Sequence, residues 1–287
     1  MRGMAWTRLA AMAVAAGTVL ADAAPPAAPR CAEVGNLATA ESGTLRYAYR
    51  PPAMTGAEGR PITLVLLPGG SGHIDLDDEG CPRALTGNSL IRSIPLFSAA
   101  GFGTVLVDAP TDRQGEDGLG GYRAAAAHAD DLGRLIAALR ERTGGAVWIV
   151  GTSRGAISAA NAASRLVGAA APDGVVLTSA LMSGQSGAKR AWVAQSVFDL
   201  PLDNLRQPLL VVGHADDRCV RSPPELMERL AGRSGAVRRQ VVLVTGGPGR
   251  AGPSGTAACE GRSPHGFVDQ ESDVAAGIAR FVRGGSY

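Results

Sequence analysis

Histidine is scarce in this chain, four among 287 residues, so a role that needs an imidazole can be assigned largely by elimination. Neither sign of charge is in excess. Lys and Arg number 28 against 26 Asp and Glu, a net charge of +2, which leaves no electrostatic footprint for nucleic acid or for an acidic membrane surface. Cysteine is sparse too, at four residues, with no Cys-x-x-Cys pair and no Cys/His cluster of zinc spacing, so no metal site is expected. Beyond the N-terminus no apolar run approaches the roughly 20 residues that a membrane-spanning helix needs. No internal repeat is visible. What is present is an ordinary globular balance, 45% hydrophobic and 19% charged residues, in a length that suits one large α/β domain.

The N-terminus carries Arg2 and Arg8, an apolar run over residues 9–20, and then Ala21-Asp22-Ala23, which fits the small-x-small rule for cleavage. Residues 1–23 therefore read as a secretory signal peptide cut near Ala23. Residues 24–43 read as an N-terminal extension that opens with an Ala/Pro-rich stretch. The alternative, a membrane anchor, needs a longer run than this one. Cys31 follows Pro29-Arg30, a poor context for lipid attachment, so a secreted or periplasmic, soluble chain with no stable membrane anchor is expected. In such a compartment an even cysteine count suggests disulfides. Four cysteines allow three connectivities, and the pairs that close the most local loops are Cys31 with Cys81 and Cys219 with Cys259.

Residues 44–50 alternate as a strand and end at Pro51-Pro52. Thereafter the rhythm changes to short continuous runs of Val, Ile and Leu at 62–67, 104–107, 146–150, 175–177, 209–212 and 241–244. Such runs suit strands buried on both faces of a parallel sheet. Helix-like stretches lie between or after them at 85–100, 122–142, 154–167, 224–231 and 267–282. In the clearest of these Leu132, Leu135, Ile136 and Leu139 share one face, and Gly144-Gly145 stops it. The alternation predicts an α/β domain over residues 44–287, a mostly parallel sheet with helices on both faces. About 30 residues separate the strands at 175 and 209, room for a crossover helix but for little or no cap domain. Long Gly/Pro-rich loops at 72–87 and 246–264 fall where open α/β sheets bind ligands.

One motif carries chemistry. Gly151-Thr152-Ser153-Arg154-Gly155 fits Gly-x-Ser-x-Gly, a pattern that 39 glycines would supply roughly a third of a time by chance. Its setting is more specific than its letters. It follows the strand ending Trp148-Ile149-Val150 and opens a helix of small residues, so Ser153 falls on a tight strand-to-helix turn with glycines two before and two after it. The rival reading is a structural turn that happens to hold a serine.

With this elbow and this strand order the chain resembles the α/β-hydrolase superfamily over nearly its whole mature length, from Thr44 to Val282. The resemblance implies the order nucleophile, acid, histidine. His73 precedes the motif and His128 lies within a helix, whereas His265, in Ser-Pro-His-Gly-Phe before the final helix, sits where the superfamily's catalytic histidine sits. His214 is the alternative. For the acid, the superfamily's aspartate stands three residues before a valine in the segment after the strand, a register that selects Asp217. Asp216 is the close alternative, and Asp199 or Asp203 a weaker one. The oxyanion needs two backbone N–H donors. The resemblance assigns one to Arg154 and the other to Gly70 or its neighbour Ser71, in Leu67-Pro68-Gly69-Gly70-Ser71-Gly72, which resembles a His-Gly-Gly oxyanion loop with proline in place of histidine. A phosphate cradle at this loop lacks its Gly-x-Gly-x-x-Gly and its lysine.

The Arg154 side chain has two readings, an ion pair with an acid such as Asp108 or a contact to a substrate carboxylate. A Cys219–Cys259 bond would tie the acid loop to the histidine loop. The resemblance thus implies an exported serine hydrolase acting on a small-molecule or polymer ester, or on an amide, through an acyl-enzyme on Ser153, with no cofactor. Two alternatives share the fold, a non-catalytic binding module and a secreted acyltransferase. The resemblance carries no implication for oligomeric state.

Overall fold

The computed structural model describes residue 1 and residues 30–53, 59–247 and 254–287. The expected signal peptide, its cleavage point near Ala23 and the Ala/Pro-rich stretch lie outside the described residues.

Among the described residues eight strands form one sheet: β1 (Glu33–Ala38), β2 (Thr44–Arg50), β3 (Ile62–Leu67), β4 (Gly103–Val107), β5 (Ala146–Thr152), β6 (Gly174–Thr178), β7 (Leu209–His214) and β8 (Arg239–Val244). Their spatial order is β1-β2-β4-β3-β5-β6-β7-β8. β1 and β2 pair antiparallel, as do β2 and β4, and every later pairing is parallel. Among the described residues six helices accompany the sheet: α1 (Ser89–Ala99), α2 (Ala126–Thr143), α3 (Gly155–Arg165), the short α4 (Ala191–Ala194), α5 (Met227–Gly232) and α6 (Glu271–Val282).

The central strands are apolar without interruption because both faces are covered, and successive side chains go to opposite faces. In β3, Val65 and Leu67 join Leu132, Leu135 and Ile136 of α2 and Ile157 of α3 in one core, while Leu64 and Leu66 join Phe97 of α1 and Ile278 and Phe281 of α6 in the other. Helix α2 ends on Gly144 at φ 64°, a left-handed cap that glycine adopts without penalty. Between β6 and β7 the chain makes only α4 and the 3-10 turns Val197–Asp199 and Leu202–Asn204, so no cap layer rises there.

The sheet starts earlier than residue 44, where alternation first appears. β1 contains Gly35 and Asn36, poor strand formers, and is made a strand by its partner: it runs antiparallel to β2 from Glu33 opposite Tyr49 to Ala38 opposite Thr44. Glu33 also receives both Arg142 Nη atoms at 2.8 and 2.7 Å, and the Cys31–Cys81 disulfide lies just before the strand.

His128 of α2 is buried, with Nε2 2.9 Å from Ser158 Oγ. Burial, and after it the neighbouring Arg123 guanidinium, push its pKa down to about 3. An unfolded histidine takes up a proton near pH 6.5. Between those values the unfolded chain binds more protons, so this group's contribution is complete above about pH 6.5 and is lost on acidification, at up to about 1.4 kcal/mol per pH unit. Urea unfolding of wild type and His128→Gln at pH 7, 5 and 4 should therefore give stabilities that converge as the pH falls; a constant gap would refute the assignment.

Candidate active site

β5 runs through Thr152 and α3 begins at Gly155, so the chain must turn within Ser153 and Arg154. Ser153 makes the turn at φ 53°, in the left-handed region that costs a residue with a Cβ about 1–2 kcal/mol. Hydrogen bonds hold it there: its N–H donates to the Thr178 carbonyl at the end of β6 at 2.9 Å, and its own carbonyl accepts from Ala156 N–H at 3.1 Å. Helix α3 starts so close to β3 that a Cβ on Gly155 would lie 2.0 Å from the Leu67 carbonyl oxygen. Only glycine fits at that position.

The loop after β3 abuts the same turn. A Cβ on Gly69 would stand 2.8 Å from Ser153 Cβ. Gly70 follows at φ 60°; among the described residues its N–H meets no acceptor, and its carbonyl accepts from Arg154 Nη1 at 3.3 Å. Asp108 is not the partner of Arg154. Its buried carboxylate instead organises this loop, accepting from Ile74 N–H at 2.8 Å, Leu76 N–H at 3.0 Å and Ala109 N–H at 2.8 Å, with His73 Nδ1 at 3.1 Å. Burial, and then the Arg221 guanidinium, lower the Arg154 pKa, partly offset by Asp117.

His265 lies in the 3-10 turn Pro264–Gly266, capped by Ser263 Oγ, which accepts from His265 N–H at 3.2 Å. The His265 carbonyl accepts from Ser179 Oγ at 2.6 Å. Its Nδ1 stands 2.8 Å from Asp217 Oδ2, and Asp217 Oδ1 accepts from Cys219 N–H at 2.9 Å. Both side chains are at most 3% exposed. His265 Nε2 is buried and, among the described residues, has no hydrogen-bond partner.

The alternatives lie elsewhere. Asp216 is exposed and donates its N–H to His214 Nδ1 at 3.0 Å; His214 Nε2 is 2.9 Å from Gln270 Oε1. Asp199 closes a capping box with Ser196, and Asp203 is exposed. The ligand-type atoms of Asp217, Cys219 and His265 lie within 4.8 Å of one another, but the Cys219 sulfur is bonded to Cys259. It has no thiolate to offer a metal, and the carboxylate and imidazole are already committed to each other.

Ser153, Gly70 and His265 line one cleft of about 260 Å³. Two devices hold its far wall. The Cys219–Cys259 disulfide, 40 residues apart, ties the Asp217 turn to the loop before His265. Arg92 of α1 donates to Glu271 at 2.7 Å, to the Gly261 carbonyl at 2.9 Å and to the Gly266 carbonyl at 2.8 Å, and also to the Gly87 carbonyl. Reading the sequence missed Arg92 and the buried Arg123, and offered Asp108 only as a partner for Arg154 rather than as the organiser of the loop after β3. No local pattern separates them from surface arginines or from an aspartate that ends a strand.

Neither the family models nor the curated proteins compared with the chain match it by sequence. Solved structures do match in shape. A monoglyceride lipase variant from Saccharomyces cerevisiae superposes with a TM-score of 0.59 at 10% identity, covering 91% of this chain and 97% of that one. A dienelactone hydrolase from Anabaena variabilis gives 0.54 at 16% identity over 89% and 100%. A cold-adapted esterase from an Arctic intertidal metagenomic library gives 0.53 at 14% over 87% and 91%. The chain has the α/β-hydrolase fold. No described helix is long and apolar enough to cross a membrane.

The loop-closure model credits a 40-residue disulfide ring with about 4 kcal/mol. Replacing Cys219 and Cys259 together by serine should lower unfolding stability by roughly that amount in urea titration, and an unchanged midpoint would show that other contacts hold the loop.

Proposed function

We propose that the protein is a serine hydrolase cleaving carboxylic esters through an acyl-enzyme on Ser153. The observation that carries this reading is the buried Asp217–His265 pair at 2.8 Å, whose unpartnered Nε2 belongs to a residue on the same cleft as Ser153. Asp217, accepting only, keeps the proton on Nδ1 and leaves Nε2 to act as base. A hydroxyl is too weak an acid to attack unaided. Nε2 takes the Ser153 proton as Oγ bonds to the ester carbonyl carbon, and the resulting oxyanion accepts from the Gly70 and Arg154 N–H groups. His265 then returns the proton to the departing alcohol. Water, deprotonated by the same imidazole, releases the acid from the acyl-enzyme and restores Ser153. Among the described residues Ser153 Oγ and His265 Nε2 make no hydrogen bond, a contact that tightens as the transition state forms.

The substrate is an ester with a short acyl group. The cleft is small, about 260 Å³, below the usual range for drug-sized ligands. Among the described residues five glycines, Gly69, Gly70, Gly87, Gly261 and Gly266, wall it, and Leu85 is its one large apolar side chain. Leu85 is itself held at φ 54°. The apolar run over residues 9–20 and two disulfides support export by a cleaved signal peptide.

A fluorophosphonate probe should form an adduct with wild type and none with Ser153→Ala. Asp217→Asn should lower kcat about 10⁴-fold, as when the acid of a Ser-His-Asp triad becomes an amide, with Asp216→Asn near wild type. Absence of the wild-type adduct, or equal losses at both aspartates, would reject the reading. On p-nitrophenyl esters kcat/KM should favour acetate and butyrate over octanoate. Leu85→Gly relieves the backbone and enlarges the cleft, so it should move the preference toward longer chains; an unmoved profile would remove Leu85 from the acyl site.

A further inference from the structure

Arg123 heads the largest fully buried side chains at 2% exposure, and among the described residues no carboxylate meets it. Its Nη1 donates to Ser158 Oγ at 2.9 Å, and its Nη2 to the carbonyl oxygens of Pro68 at 3.1 Å and, more weakly, Gly70 at 3.5 Å. Nε is buried and, among the described residues, has no hydrogen-bond partner. Behind it the Ser158 hydroxyl, already accepting from the guanidinium, lies 2.9 Å from His128 Nε2. The Asn161 amide fixes the Arg123 backbone from α3, donating to its carbonyl at 3.0 Å and to that of Ala125 at 2.8 Å. Burial, and then the Arg154 guanidinium, lower its pKa to about 9, so it is charged at neutral pH.

A buried charge without a counter-charge is costly, and an apolar side chain of similar volume would avoid that cost. The contacts show what the charge holds. The Gly70 N–H belongs to the Gly69–Gly70 peptide. Pro68 O and Gly70 O belong to the peptides on either side of it. Neither glycine has a Cβ to resist rotation of the plane between them, whose carbonyl is held from one end by the Gly72 N–H at 3.1 Å, and a flipped plane would offer a carbonyl where a donor is needed.

We propose that Arg123 is a positioning residue for the oxyanion hole, gripping the two peptides that flank Gly69–Gly70 and so keeping the Gly70 N–H available to the cleft. Its charge-assisted bonds are stronger than neutral ones, and the positive charge behind the loop favours the developing oxyanion. This inference rests on the reading of Ser153 as nucleophile and the Gly70 N–H as a donor.

The test compares wild type, Arg123→Met, Arg123→Lys and Ser158→Ala on p-nitrophenyl acetate, with rates expressed per site titrated by a fluorophosphonate. Arg123→Met should lose about 10²–10³-fold in kcat, the loss expected when an oxyanion donor is removed, with KM nearly unchanged. Arg123→Lys keeps the charge without the fork and should recover part of the rate. A purely structural role would lower the number of titratable sites and leave the rate per site unchanged. If Arg123→Met does not fold, Arg123→Lys and Ser158→Ala carry the test: each should lower the rate per site about tenfold, Ser158→Ala by freeing Nη1 from its acceptor. Rates per site within about twofold of wild type in both, or a loss confined to KM, would overturn the proposal. Wild type that forms no adduct would overturn the functional reading and this inference together. Wild type that labels, beside variants of unchanged rate per site, would overturn this inference alone.

Discussion

The meeting of β3, β5 and α3 in less space than a side chain allows is the constraint on which this molecule turns. Gly155 must pass the Leu67 carbonyl at a separation that excludes a Cβ, and that approach leaves Ser153 in the left-handed region between a strand and a helix. The turn lifts Ser153 above the C-terminal edge of the sheet, sets Arg154 at the head of α3, and brings the Gly69–Gly70 segment against it. The strain is stored where three well-packed elements over-determine it, which is the setting in which such outliers persist. The central strands β3 to β7 are apolar and tightly covered on both faces, and this supplies the rigidity.

The rest of the cleft is built on a different basis. The loops carrying Leu85, Gly261 and His265 are rich in glycine and bury few apolar side chains, so hydrophobic packing alone would leave them loose. Polar and covalent ties take its place. Asp108 gathers the backbone N–H groups of the loop after β3, Arg92 gathers carbonyls from Gly87, Gly261 and Gly266, and the Cys219–Cys259 bond joins the Asp217 turn to the His265 approach. Arg123 belongs to the same group, a buried donor whose acceptors are loop carbonyls rather than a carboxylate. Each tie joins segments far apart in the chain, and together they set a cleft of about 260 Å³ walled largely by glycine.

Much of this was legible in the chain itself. Runs such as residues 62–67 and 209–212 are unbroken because their strands are buried on both faces, and that pattern needs no structure to be recognised. Ser153 was legible because a glycine pair, a preceding apolar strand and a following run of alanines coincide. β1 was not, because Gly35 and Asn36 have no strand preference of their own and take the conformation from pairing with β2. Asp216 and Asp217 are adjacent and chemically identical, and the direction of a tight turn after β7 buries one against His265 while leaving the other in solvent. Arg154 looked equally able to pair with Asp108, yet backbone donors claim that carboxylate first.

By itself, then, the amino-acid sequence determined what local patterning and backbone sterics can encode: which segments are buried strands, which faces of the helices are apolar, and where the chain must turn sharply through Ser153. Only the tertiary structure decided which aspartate meets the histidine, which arginines are buried, and how small the cleft is. Those outcomes depend on donors and acceptors tens of residues apart, from Arg92 to Gly266 and from Arg123 to Pro68, whose pairing is set by three-dimensional proximity and by the cost of leaving a buried polar group unsatisfied.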